Sequence, residues 1–190
     1  MRIKDEKKLE SIYEATLQLI IDDGLHQTSI SKIAKGAGVS PATIYIYFEN
    51  KEDLINKLYL SVKKEMSDYI FVKVDNQKTV HENFENIMRK FSQYIQDNKS
   101  RFLFVEQLQN MPILSSDILD QTNQYFYPME KVLEKGISEK VIKDVDTKIL
   151  FLPIFQPLSA YFKEQFNSEE RPKKAVINTL IELAWNSISI

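Results

Sequence analysis

Two helix starts lie within one short stretch, VSPATIYIYFENKEDL at residues 39–54, and few folds can use both. Ser40 stands immediately before Pro41. A serine oxygen there accepts a backbone N–H that the first helical turn leaves open, and proline suits the first helical position because its missing N–H is not needed. Asn50 begins the second start, with Asp53 three residues on as a variant of the capping box. The helix between them has room for only about two turns. Lys51 is the anomaly, because a cation in a first turn opposes the helix macrodipole at a cost of roughly 0.3–1 kcal/mol when exposed. A phosphate meeting both the lysine and the free N–H groups of the helix start reverses that sign.

The residues upstream give the stretch its setting. Leu9, Ile12, Ala15, Thr16, Leu19 and Ile20 recur at three- and four-residue steps, the apolar stripe of an amphipathic helix. Asp22-Asp23-Gly24 supplies its stop. Thr28 is placed to cap the next segment, in which Ile30, Ile33 and Ala34 form one face, and Ala37-Gly38-Val39 breaks it. Two short helices joined by a glycine-containing turn and braced by a longer one make the layout of a helix-turn-helix unit. On the second of the pair Ile44 and Phe48 lie four apart and point inward, Thr43 and Tyr47 share another face, and Ser40, Pro41 and Ala42 project outward.

Composition narrows the class. With 190 residues, 43% of them hydrophobic and 27% charged, the chain can build a core, while four glycines and six prolines are too few for a loop-rich β protein. The expected fold is all-α. Zero cysteines exclude disulfides, thiolate nucleophiles and Cys-based zinc sites. His26 and His81 are the only histidines, neither with a second at metal-ligand spacing, and no glycine-rich phosphate loop or serine elbow occurs. No catalytic residue, metal or cofactor is expected. The opening MRIKDEKKLE is charged where a signal peptide needs an apolar core, and the apolar run Ile149 to Phe155 is too short to span a bilayer, so the expectation is a cytoplasmic protein without membrane partners. Residues 1–60 hold eight Lys and Arg against nine Asp and Glu, yet within 28–51 Lys32, Lys35 and Lys51 face only Glu49. The cations gather modestly on the expected reading surface, and salt dependence is expected to be shallow.

From about residue 9 to 60 the chain resembles the TetR family of bacterial transcriptional regulators, through the first helix ending in Asp-Gly, then TSISKIAKGAGVS, then IYIYFENKEDL. The resemblance implies a three-helix DNA-binding head at residues 1–50, a larger helical ligand-binding and dimerisation domain at 51–190, and a homodimer formed by the last two helices. It implies a double-stranded DNA operator as partner, with Thr28 and Ser29 meeting phosphate, Pro41, Ala42 and Thr43 facing base edges, and Tyr45, Tyr47 and Lys51 holding phosphates. Lys32 and Ser40 complete that surface, with Thr43 as the favoured polar base reader. Glu49 departs from the family pattern, in which a lysine or small polar residue is common.

Beyond Leu54 helical patterns continue through LINKLYLSVKKEM and then over about 79–97, 99–110, 115–135, 146–164 and 169–188. This region is rich in aromatics, which suits an apolar cavity for a small hydrophobic ligand. Phe91, Tyr94, Phe102, Gln107, Tyr125, Phe155 and Gln156 are its candidate lining. Pro153 and Pro157 should kink or break their helix. In the final helix Ile177, Leu180, Ile181, Ala184 and Ile188, with Trp185 beside them, form a stripe expected to serve both core and dimer contact. The competing reading is a helical protein–protein interaction module that does not read DNA.

Overall fold

The computed structural model describes residues 2–168 and 170–190, with side chains from residue 6 onward. Ten α-helices follow one another among these residues: α1 Arg2–Asp23, α2 Ile30–Ala37, α3 Pro41–Tyr47, α4 Lys51–Ile70, α5 Val80–Asp97, α6 Lys99–Leu108, α7 Ser116–Gln124, α8 Tyr127–Ser138, α9 Thr147–Ser168 and α10 Lys174–Ile188. No strand occurs among the described residues, only an isolated bridge between Ile142 and Ser189. The chain forms two compact units, one of residues up to Lys64 with Asn98–Thr122, the other of Glu65–Asp97 with Asn123–Ile190.

The first unit holds α1 to α3, α6, and most of α4 and α7. Ile12, Ile33, Ala34, Ile44, Phe48 and Leu54 make one cluster of its core, and every inward residue of the two short helices is spent on it. Gly24 ends α1 with a φ of 84°, and Gly38 ends α2 in the left-handed conformation at φ 66°. There the Val39 N–H reaches back to the Ala34 carbonyl at 3.0 Å, the bond that closes a Schellman cap and sets the tight turn. The same unit carries a half-buried ionisable group, Lys63. Burial pushes the Lys63 ammonium down to about 8, against the pull of the Glu106 charge, and burial followed by that same charge lifts the Tyr59 hydroxyl to about 12. Tyr59 packs on Phe104 with ring centroids 6.4 Å apart.

The second unit carries a cluster of aromatic rings in which Phe91 is buried and Phe71, Phe126, Phe151 and Phe155 are half-buried. Phe155 of α9 meets Phe91 of α5 edge-on at 5.1 Å and Phe126 at 5.9 Å, Phe151 stacks on it at 5.8 Å, and Phe126 in turn meets Phe71 at 5.6 Å. Such tilted and edge-on pairs are worth about 0.5–1.5 kcal/mol each beyond the area they bury.

Two helical expectations are corrected. The single helix expected over 115–135 is two, α7 and α8, separated at Tyr125 and Phe126. Pro128 sits in the first turn of α8, where a proline lacking its N–H starts a helix and does not continue one. Conversely, α9 runs unbroken through Pro153 and Pro157. Its buried Leu150, Ile154, Leu158 and Phe162 form one continuous inward stripe, which holds the helix together where two backbone donors are missing.

Candidate nucleic-acid interface

Both helix starts seen in the sequence are built as hydrogen bonds. Ser40 Oγ accepts the Thr43 N–H at 3.2 Å, with Pro41 in the first turn. At the second start Asn50 Oδ1 accepts the Asp53 N–H at 2.8 Å, and Asp53 Oδ2 accepts the N–H of Glu49 at 3.0 Å. The box is reciprocal, reaching one residue further back than the usual pattern. Burial works to raise the Asp53 carboxyl, but the Lys57 hydrogen bond, the Glu49 N–H and the Lys57 charge together hold it below the ordinary carboxylate value.

Between the two starts α3 turns Ile44 and, at its end, Phe48 into the core, 0% and 3% exposed. Pro41, Ala42, Tyr45 and Ile46 face solvent, while Thr43 and Tyr47 are half-buried. Thr43 Oγ1 lies 2.9 Å from Ser40 Oγ, so the two hydroxyls are tied to each other.

At the start of α2 the cap is Ser29, whose oxygen accepts the Lys32 N–H at 3.3 Å, and Thr28 does not cap. Thr28 is buried, its hydroxyl donated to the Gly24 carbonyl at 2.9 Å to close the short 3-10 turn Leu25–Gln27. Ser29 is therefore the exposed hydroxyl here, and the side chain of Thr28 is turned inward. Lys32 forms an ion pair with Asp23 at 2.9 Å, which reduces the local positive charge that counting along the sequence suggests.

Lys51 has a partner inside the head. Its Nζ donates to the Thr28 carbonyl at 3.0 Å, pinning the start of α4 to the entry of α2 across 23 residues. The charge that opposes the macrodipole thus has a local structural reason, with the other N–H groups of the ammonium available in addition.

The residues expected to bind ligand are divided between the two units. Phe91, Tyr94, Tyr125, Phe155 and Gln156 belong to the second unit, Phe102 and Gln107 to the first. Phe91 and Phe155 touch, joined by Phe71, Phe126 and Phe151, which were not among the candidates. Tyr94 is buried against Tyr69 at 5.7 Å, and Tyr125 offers its carbonyl to the Ser67 hydroxyl at 2.9 Å. Gln156 is exposed and lines up with Ile149 and Leu152 on the outer face of α9, so it is not an interior polar group. A surface hollow in the same unit is lined by Asn123, Gln124, Tyr127 and Glu130.

The α10 stripe takes up the core part of its expected role. Ile177, Ile181, Ala184 and Ile188 are buried within the protomer itself, and Trp185 packs against His81 and Phe84 of α5 at 4.6 and 5.2 Å. Leu180 is half-buried. The apolar side chains left facing outward are Val176 and Leu183 of α10 with Ile149 and Leu152 of α9. An inward stripe and an outward stripe lie on opposite sides of one helix, and sequence periodicity alone does not assign which is which.

A helix pair capped at both starts, presenting a short second helix on a small rigid core, defines a helix-turn-helix DNA-binding protein. Comparison with known proteins agrees. The sequence model for bacterial regulatory proteins of the tetR family matches residues 12–58, and that for a tetracyclin repressor-like C-terminal domain matches residues 79–189. The chain belongs to the tetR family of bacterial transcriptional regulators. It is 26% identical over 185 residues to the fatty acid metabolism regulator protein of Bacillus subtilis, covering 95% of each. The crystal structure of a TetR family transcription regulator from Marinobacter aquaeolei superposes with a TM-score of 0.91 at 24% identity, over 100% of this chain and 99% of that one. That of the regulator FadR from Bacillus subtilis in complex with stearoyl-CoA gives 0.74 at 24% identity, over 92% and 96%. The family is one of transcriptional regulators, not enzymes, and the reading as an interaction module without DNA is set aside. No described helix is long and apolar enough to cross a membrane, and no group of three or more potential metal ligands occurs among the described residues.

Proposed function

We propose that this protein is a cytoplasmic repressor that holds a near-palindromic operator as a homodimer and releases it on binding a small hydrophobic ligand. Residues 1–50 read DNA, and residues 51–190 take the ligand and the second copy. The observation that carries the reading is the pair of capped helix starts around α3, whose exposed side chains have no packing duty in the protomer. On DNA, α3 enters the major groove with Ser40, Pro41, Ala42 and Thr43 leading, and Ser29, Lys32, Tyr45, Tyr47 and Lys51 engage phosphates. Thr28 contributes through its carbonyl, by holding Lys51 in place.

The ligand domain supports an apolar guest through the Phe71, Phe91, Phe126, Phe151 and Phe155 cluster, with Tyr94 and Tyr125 in the same unit. The likeness to a fatty acid metabolism regulator favours a long acyl chain. The dimer uses the outward residues Ile149, Leu152, Gln156, Val176 and Leu183, flanked by Leu180 and Trp185, while Ile177, Ile181, Ala184 and Ile188 hold α10 in place from within. Two-fold symmetry then sets the recognition helices about 34–36 Å apart or somewhat further. Ligand acts by its differential affinity for two states of the dimer, typically about 1–3 kcal/mol of coupling.

The test is a titration of the protein against the DNA upstream of its own gene at two salt concentrations with scrambled competitor, repeated with stearoyl-CoA. Competitor-resistant binding that the acyl-CoA weakens is expected. Binding that scrambled DNA abolishes would remove local repression, and indifference to acyl-CoA would remove the acyl ligand alone.

A further inference from the structure

The seven residues of α3, PATIYIY, contain no Arg, Lys, Asn, Gln, Asp or Glu. The face that α3 turns to solvent consists of the pyrrolidine ring of Pro41, the methyl of Ala42, the phenol of Tyr45 and the side chain of Ile46, which is 78% exposed. Ala42 and Ile46 are four residues apart and stack along one line of the helix. No packing among the described residues accounts for an isoleucine held out in water on the last turn of so short a helix. Thr43 is half-buried and its single hydroxyl is tied to Ser40, and a hydroxyl that can both donate and accept does not by itself distinguish one base from another.

The major groove limits what such a face can read. Two-point recognition of guanine or adenine needs a guanidinium, an ammonium or an amide, and α3 has none. The apolar feature of the groove floor is the C5 methyl group of thymine. Ser29, Lys32 and Lys35 lie on or before α2, where they serve the backbone. We infer that Ile46, with Ala42 and Pro41 beside it, recognises thymine methyl groups, that these contacts are the chief source of sequence preference, and that Ile46 is a specificity-determining residue. The inference rests on the proposed docking of α3 in the major groove and names what it reads there.

The experiment begins by selecting binding sites from a random duplex pool with the full-length protein. Each thymine of the selected half-site is then replaced by deoxyuridine, which removes the methyl and leaves base pairing intact. Loss of affinity of about fourfold at each read thymine is expected, the value of one buried methylene-sized group. Ile46→Ala should lose a similar factor on the thymine site and become indifferent to uracil at one position, so that the two changes together cost less than their product. Because Ile46 is exposed, the variant keeps the thermal midpoint of the parent protein. A selected site that binds equally well with uracil, or whose core is entirely guanine–cytosine, overturns the inference while leaving the regulator reading intact. Failure to select any sequence overturns the docking of α3 and the inference with it.

Discussion

The helix-turn-helix region and the aromatic cluster of the second unit are both held on helices and their ends, but they keep their information in different places. In the first, six buried side chains suffice for the core, and the detail lies in caps and exposed positions such as Ser29, Ser40, Asp53 and Ile46. In the second, the detail lies in which rings meet, and those rings come from α5, from α9 and from the segments just after α4 and just before α8. A surface written by local rules can change its reading without losing its fold. An interior written by distant contacts cannot.

The strongest test of that contrast is in the interior. Phe84→Ala, at a site fully buried against Trp185, should cost about 3–5 kcal/mol in denaturant unfolding, whereas Ile46→Ala should cost almost nothing. Next is pH. Lys63 is held down to about 8 when folded and has an ordinary value of 10.5, so the unfolded chain binds more protons between those limits and stability rises as pH climbs from 8. Near pH 10 the rise reverses, because Tyr59 is held up to about 12 and keeps its proton longer in the folded state. Thermal midpoints from pH 7 to 10 should therefore increase, and Lys63→Met should flatten the curve; an unchanged slope in the variant would assign the rise to other groups.

Smaller again is Lys51→Ala, expected to weaken binding to every DNA sequence by about tenfold and to lower the log–log salt slope by about 0.9. A change in sequence preference would instead make Lys51 a base reader. The smallest effect is predicted for Asp23→Asn, which releases Lys32 from an exposed ion pair worth about 0–1 kcal/mol. DNA affinity should rise a few-fold with little change in stability, and a fall in affinity would show that the pair positions Lys32 for DNA.

The same contrast explains what was legible in advance. The starts at Ser40 and Asn50 and the stop at Gly38 follow from residues within four positions of one another, so they could be read from the chain. The exchange of roles between Thr28 and Ser29 was not legible, because both hydroxyls suit a cap and only the 3-10 turn decides which one is turned inward. The break before α8 did have a signal, Pro128, but an apolar periodicity running through 115–135 masked it. The assignment of Ile177 and its stripe to the protomer core depended on α5, whose Phe84 meets Trp185 from about a hundred residues away. Gln156 had the chemistry of a pocket residue and the angular position of a surface one.

One feature of α9 bears on how an interior of touching rings could admit anything at all. Pro153 and Pro157 bracket Phe155, the ring on which Phe91, Phe126 and Phe151 converge. With no amide hydrogen on either proline, the carbonyls of Ile149 and Pro153 receive no helical N–H from four residues on. The busiest ring of the cluster is therefore mounted where its helix lacks two of its own rungs.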